Sequence, residues 1–145
     1  MEICDVAVTE STANYRERVM AVEAAVLAAP QVELDYRHHF AHGVYAREMR
    51  VPAGTVITGQ VHLYENLNIL VKGALRLVTE DGHEDVSAPR VIVSPPGTKR
   101  AAIVLDDCIW ITVCATDATT PEQAEAELVV PGYAEYATKQ LEERA

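Results

Sequence analysis

Histidine is the commonest protein ligand of zinc-like ions and the side chain that changes charge nearest neutral pH. The 145-residue chain has five. Three fall together at His38, His39 and His42, one stands alone at His62, and one follows a turn at His83. The triplet suggests a metal site, but no acid or cysteine at ligand spacing sits beside it. It reads as a loop of hydrogen-bonded or solvated imidazoles leading into a strand, and His83 as a surface residue. His62 has the most to offer, with Gln60, Tyr64, Glu65 and Cys114 as available partners. Imidazole with thiolate suits zinc or copper, yet two ligands fall short of the three or four a stable site needs. The alternative is an interior histidine hydrogen-bonded to Thr112 or Tyr64. Arg100 cannot lose its charge; it is either a surface charge beside Lys99 or an inward anchor for an anion. No Ser-His-Asp order, phosphate loop or paired-carboxylate signature supports a hydrolase or a kinase.

Strands must position these groups. The stretch from Gly59 to Gly73 alternates around His62, becomes an apolar run and closes at Lys72-Gly73, which predicts two strands meeting at a tight turn. The segment from Cys108 to Cys114 separates into two faces, with Ile109, Ile111 and Val113 on one and Cys108, Trp110, Thr112 and Cys114 on the other. Upstream, Val61 and Leu63 stand opposite Gln60, His62 and Tyr64 in the same way. Binding pockets are mostly apolar with a few placed polar groups, so the mixed face is assigned to the interior. The aliphatic face then needs cover, from an N-terminal helix or from a second subunit. A dimer or larger assembly is expected. A helix is predicted over about residues 12–29, capped by Ser11 or Thr12, with Tyr15, Val19, Val22 and Val26 as its apolar stripe and Arg16, Glu17, Arg18 and Glu23 on its polar side. A second helix should start at Pro121 behind a Thr120 cap and run to about Leu128, and a third should cover Tyr133 to Glu143.

Composition narrows the partners. The chain carries 22 acids against 12 bases, a net charge of −10. That sign is opposite to a nucleic-acid footprint, so no nucleic-acid partner is expected. No run approaches the ~18 apolar residues of a membrane span, and the start Met1-Glu-Ile-Cys-Asp5 lacks the basic and apolar regions of a signal peptide. Cys4, Cys108 and Cys114 form no Cys-x-x-Cys and read as reduced thiols of a cytosolic protein. One domain over residues 1–145 is expected.

Two stretches, Gly59-Gln-Val-His62 through Gly73 and Val91-Ile-Val-Ser-Pro-Pro-Gly-Thr-Lys-Arg100, together resemble the paired motifs of the cupin superfamily. The resemblance covers roughly residues 43–116. It implies a mainly β fold, the cupin-type double-stranded β-helix or jelly-roll barrel, here with an N-terminal helix and one or two C-terminal helices. In that family the first motif, G-x5-H-x-H-x3,4-E-x6-G, holds a metal through its histidines and glutamate, and the second ends P-x-G-x-x-H. With Gly73 as the last glycine, those positions fall on Gln60, His62, Asn66 and Arg100. Only His62 keeps a ligand type. Glu65 lies one place off, on the opposite face of a regular strand, and Arg100 puts a fixed positive charge at the site. No metal and no other cofactor is therefore expected, with His62 the one residue left that could ligate an ion. The ligand-binding set becomes Gln60, His62, Tyr64, Asn66, Arg100, Trp110, Thr112 and Cys114.

The stretch from His38 to Ala126 also resembles small single-domain cupin-like proteins of bacteriophages and prophages, through His38-His39-Phe40, Gly43-Val-Tyr-Ala-Arg-Glu48, Leu67-Asn-Ile69, Thr79-Glu-Asp-Gly82 and Ser94-Pro-Pro-Gly-Thr98. That group more often shows histidine at the positions of Asn66 and Cys114, which implies a pocket that has lost imidazoles. Three functions follow, in order: a non-catalytic assembly or virion component, a binding module for a small anionic molecule, and a metal-dependent enzyme such as an isomerase or dioxygenase. Expected partners are further copies of the chain and, given a phage origin, other virion proteins. The expected place is the cytoplasm or the virion.

Overall fold

Alternating aliphatic residues recur through most of residues 35–115, the period of a pleated surface buried on one side. In the computed structural model, which describes residues 15–144, this region forms β1 (Asp35–Ala41), β2 (Val44–Val51), β3 (Val56–Thr58), β4 (Val61–His62), β5 (Asn66–Thr79), β6 (Gly82–Ser87), β7 (Arg90–Ser94) and β8 (Ala101–Ala115). Helix α1 (Tyr15–Leu27) precedes them, and α2 (Pro121–Leu128), the short β9 (Val129–Val130) and α3 (Tyr133–Arg144) follow. Cys4 and the helix cap expected at Ser11 or Thr12 lie outside the described residues. The sheet runs β1-β2-β8-β5-β6, with β3 beside β8 and β7 beside β5, while β4 pairs with β9. Every pairing is antiparallel. The long strands β5 and β8 carry the barrel. The second half of β8 meets β2 and the first half of β5, and its first half meets β3 and the end of β5. Leu70, Leu75, Leu77, Val86, Val104 and Trp110 fill the core between them. None of the described helices is long and apolar enough to cross a membrane.

Several boundaries differ from expectation. The stretch around His38 and His39 is a strand and not a loop: β1 pairs with β2 from Asp35↔Arg50 to Ala41↔Val44, so the sheet begins at Asp35 and not at Gly43. His42 and Gly43 form the two-residue turn, for which Gly43 supplies φ 71°. Gly73 does not end a strand either. It lies inside β5, where the register with β8 shifts, at φ 88°; a Cβ there would collide with the Asp107 carbonyl. Some bulges, like some tight turns, use a glycine at positive φ, so the same glycine can signal either.

Helix α1 does not cover the aliphatic sheet face. Its Val19 and Val22 pack on Val78 and Ala101, with Tyr15, Val26 and Val56 around them. Arg18, assigned to the polar side, is fully buried and donates to the Gly82 carbonyl at 3.0 Å. Lys99, expected at the surface, is 1 % exposed. It pairs with Glu23 at 2.6 Å and donates to the carbonyls of Gly59 and Pro131, so one ammonium ties α1 to two separate links of the barrel wall. Val61 and Leu63 also leave the outer face, because β9 and α2 cover them: Val61 is fully buried against Val130, and the Leu63 amide donates to the Leu128 carbonyl. Helix α2 starts as its sequence predicts, with the Thr120 hydroxyl accepting from the Gln123 amide.

Candidate ligand-binding cavity

Residues directly opposite one another on antiparallel strands project to the same face, so the registers give the barrel interior row by row. The first row joins Ser94 to Asn66, and Cys114 to Tyr45 and Phe40. The second runs Ile92, Asn68, Thr112, Arg47, His38. The third runs Leu70, Trp110, Met49, Tyr36. Beyond the bulges, Leu77 pairs with Ala102 and Ala102 with Ile57. The lining therefore passes from polar to apolar along one axis. It borders an open cavity of about 780 Å³, which the link from Ala29 to Val32 flanks on one side.

The polar rows are locked to one another. Asn68 donates to Asn66 Oδ1 at 2.9 Å and to Ser94 Oγ at 2.8 Å, and its own Oδ1 accepts from Thr112 at 2.9 Å and from the Trp110 indole at 3.2 Å. That uses both donors and both lone pairs of the amide. Arg100, carried by the link from β7 to β8, donates from Nη2 to Ser94 Oγ at 2.7 Å. Its Nε is buried and has no hydrogen-bond acceptor among the described residues. Arg47 stands over the Tyr36 ring, 5.5 Å from its centroid. Among the described residues neither guanidinium makes an ion pair. The carboxylates on the lining are Glu23, already bound to Lys99, and the exposed Glu125. Tyr45 stacks on Phe40 at 4.6 Å, and its hydroxyl shares a 2.6 Å hydrogen bond with His38 Nδ1.

Burial disfavours the charged form of His62, and Arg47 and Arg100 repel it further, so its pKa falls from 6.5 to about 4. Burial also pushes the Cys114 thiol up, with Arg47 opposing in part. Burial thus disfavours the charged form of both groups. The depressed pKa has a stability consequence. Below about pH 6.5 the unfolded chain protonates this residue and the folded chain does not, until pH about 4 is reached. Stability present above pH 6.5 is therefore lost as pH falls through that window, by an amount of the order of 3 kcal/mol. His62→Gln should remove this share, so its urea midpoint should fall less between about pH 7 and pH 4.5 than the parent's. Equal losses in both proteins would refute the assignment.

Of the residues singled out from the sequence, Gln60, His62, Asn66, Arg100, Trp110, Thr112 and Cys114 line this one cavity. Tyr64 does not. Strand pairing stops at His62, so the alternation that put Tyr64 inside is broken; it is 52 % exposed and lines a smaller cleft beside Glu65. The sequence reading missed Tyr45, Arg47, Asn68 and Ser94. Alternation from Tyr45 to Met49, and the two-residue step from Asn66 to Asn68, were the signals that could have found them. His38 and His39 point to opposite faces, and His39 meets Glu48 at 3.2 Å on the outside. The residues at the family's metal positions do not fit a cation: among the described residues no three His, Cys, Asp or Glu side chains converge, and Arg100 occupies one position with its charge.

The curled antiparallel sheet around a polar-ended cavity is the cupin-type double-stranded β-helix. Solved structures agree. The chain is similar to a cupin superfamily protein from Desulfitobacterium hafniense DCB-2, with 12 % identity, TM-score 0.50, and coverage of 61 % of this chain and 83 % of that one. It is also similar to KdgF from Halomonas sp., with 20 % identity, TM-score 0.50, and coverage of 65 % and 88 %. At these identities the likeness establishes the fold alone. No protein-family model matches the chain, and no curated protein is significantly similar to it.

Proposed function

We propose that this protein is a cupin-fold binding protein for a small anionic organic molecule, held inside the barrel by Arg100 with Arg47 beside it. The observation that carries this is the Arg100 guanidinium, which lines a cavity of about 780 Å³ and, like Arg47, makes no ion pair among the described residues. A carboxylate or phosphate oxygen in the cavity would supply the missing counter-charge through charge-assisted hydrogen bonds. The chain as a whole carries a net charge of −10, so two cations without an acidic partner on one wall mark that wall out. Burial, which disfavours the charged forms of His62 and Cys114, favours binding over covalent chemistry. Trp110 is the one tryptophan in the sequence and stands on the cavity wall, so its fluorescence reads occupancy directly. Titration with a panel of carboxylates and phosphate monoesters should give a saturable change, and their uncharged amides should bind at least tenfold more weakly. Equal affinity for acids and amides would defeat the proposal.

A second reading, self-assembly, rests on the outer face. Val93, Leu67, Val113 and Ala46 form one outward row, and Val91, Ile69 and Ile111 the next, ending at Glu48. Val91 and Val93 are 60 % and 58 % exposed. Leu67 between them is 41 % exposed, so these rows leave a contiguous apolar patch of the kind that marks interaction sites. The occupant that best suits a flat sheet face is a second copy. Light scattering at micromolar concentration should give a dimer or larger, and Val93→Lys should shift it to monomer with the fold kept. A parent protein that is already monomeric would end this reading. A virion role is its finer form, and none of the similar structures reported above is described as a virion component.

A further inference from the structure

Resting on that reading, we infer that the ligand is an amphiphile: one carboxylate-like head at Arg100 and Arg47, and an apolar body lying along the barrel axis toward Met49, Leu77 and Ala102. The order of rows gives the direction. Polar residues occupy the rows nearest Arg100, and the third row and the region beyond the bulges line the cavity with Leu77, Ala102, Ile57, Met49 and the Trp110 ring. The indole N–H, the polar atom at that end, is already spent on Asn68 and Thr112.

Hydrogen-bond capacity separates an amphiphile from a polyhydroxylated acid. A sugar acid of similar size would need a partner for each hydroxyl, because buried polar groups without one are costly. The Asn68 amide has no capacity left, Ser94 already accepts from both Asn68 and Arg100, and Asn66 is bonded to Asn68 and to the Tyr64 carbonyl. Spare capacity remains on the two guanidiniums and on Gln60 and His62, all in the polar part of the lining. The wall thus offers an anion contact with a few polar groups around it, and an apolar surface beyond them.

The test is a series of acetate, butanoate, hexanoate and octanoate, with octan-1-ol and gluconate as controls, followed by Trp110 fluorescence and calorimetry. Affinity should rise about fourfold per methylene, the transfer free energy of that group, while octan-1-ol binds at least tenfold more weakly than octanoate and gluconate no better than acetate. Leu34→Asn, at a half-buried position on the cavity edge, should flatten the series and leave acetate unchanged. Acetate binding as tightly as octanoate, or gluconate binding more tightly than hexanoate, would overturn the amphiphile and leave the anion site standing. Octan-1-ol binding as well as octanoate, or binding of none of the carboxylates, would overturn both.

Discussion

Arg100→Gln is expected to weaken binding of an anionic ligand by one to two orders of magnitude while leaving the fold unchanged. Hydrogen bonds to charged groups contribute about 1.5–3 kcal/mol, which sets that range. The fold should tolerate the change because Ser94 keeps its bond from Asn68 and glutamine places no charge on the wall. Arg47→Gln should cost less, since that guanidinium rests on the Tyr36 ring and reinforces the field from there. Trp110 fluorescence measures both losses, and circular dichroism checks the fold. Parent-like affinity in Arg100→Gln would remove Arg100 as the anchor.

The second large effect concerns stability. Gly73 and Gly54 have nearly the same φ, 88° and 87°, but a Cβ at Gly54 meets open space and one at Gly73 meets the Asp107 backbone. Gly54→Ala should therefore lose about 1–2 kcal/mol, the cost of a left-handed backbone for a residue with a Cβ. Gly73→Ala adds a collision with the neighbouring strand and should lose about 3 kcal/mol or more, within the range of severe single substitutions. Urea unfolding of the two variants isolates the collision. Similar losses in both would show that β5 and β8 can move apart at the bulge without penalty.

The bulge at Gly73 also explains what the sequence could and could not reveal. Alternation is a local signal, so the two faces of β8 and the cap of α2 were legible from neighbouring residues alone. The glycine was legible as a positive-φ position, but whether the chain turns there or bulges depends on β8, some thirty residues on. The edge strand β1 was hidden because its residues are nearly all exposed and show no apolar period. Arg18 and Lys99 were misplaced for a related reason: the carbonyls that satisfy them belong to Gly82, Gly59 and Pro131, brought close only by the fold. Gln60, His62, Trp110, Thr112 and Cys114 on the cavity lining followed from period two, but Tyr64 is not on it, since β4 is two residues long and the period has nothing to act on beyond it.

The central claim is that the Arg100 guanidinium holds an anion in the cavity. Proton–nitrogen correlation spectra of the arginine side chains, recorded while octanoate is added, observe that group itself. A downfield shift of one Nε–H resonance that saturates with the Trp110 fluorescence, and is missing from Arg100→Gln, is the predicted result. Saturation of the fluorescence with the Arg100 resonance unmoved would contradict it.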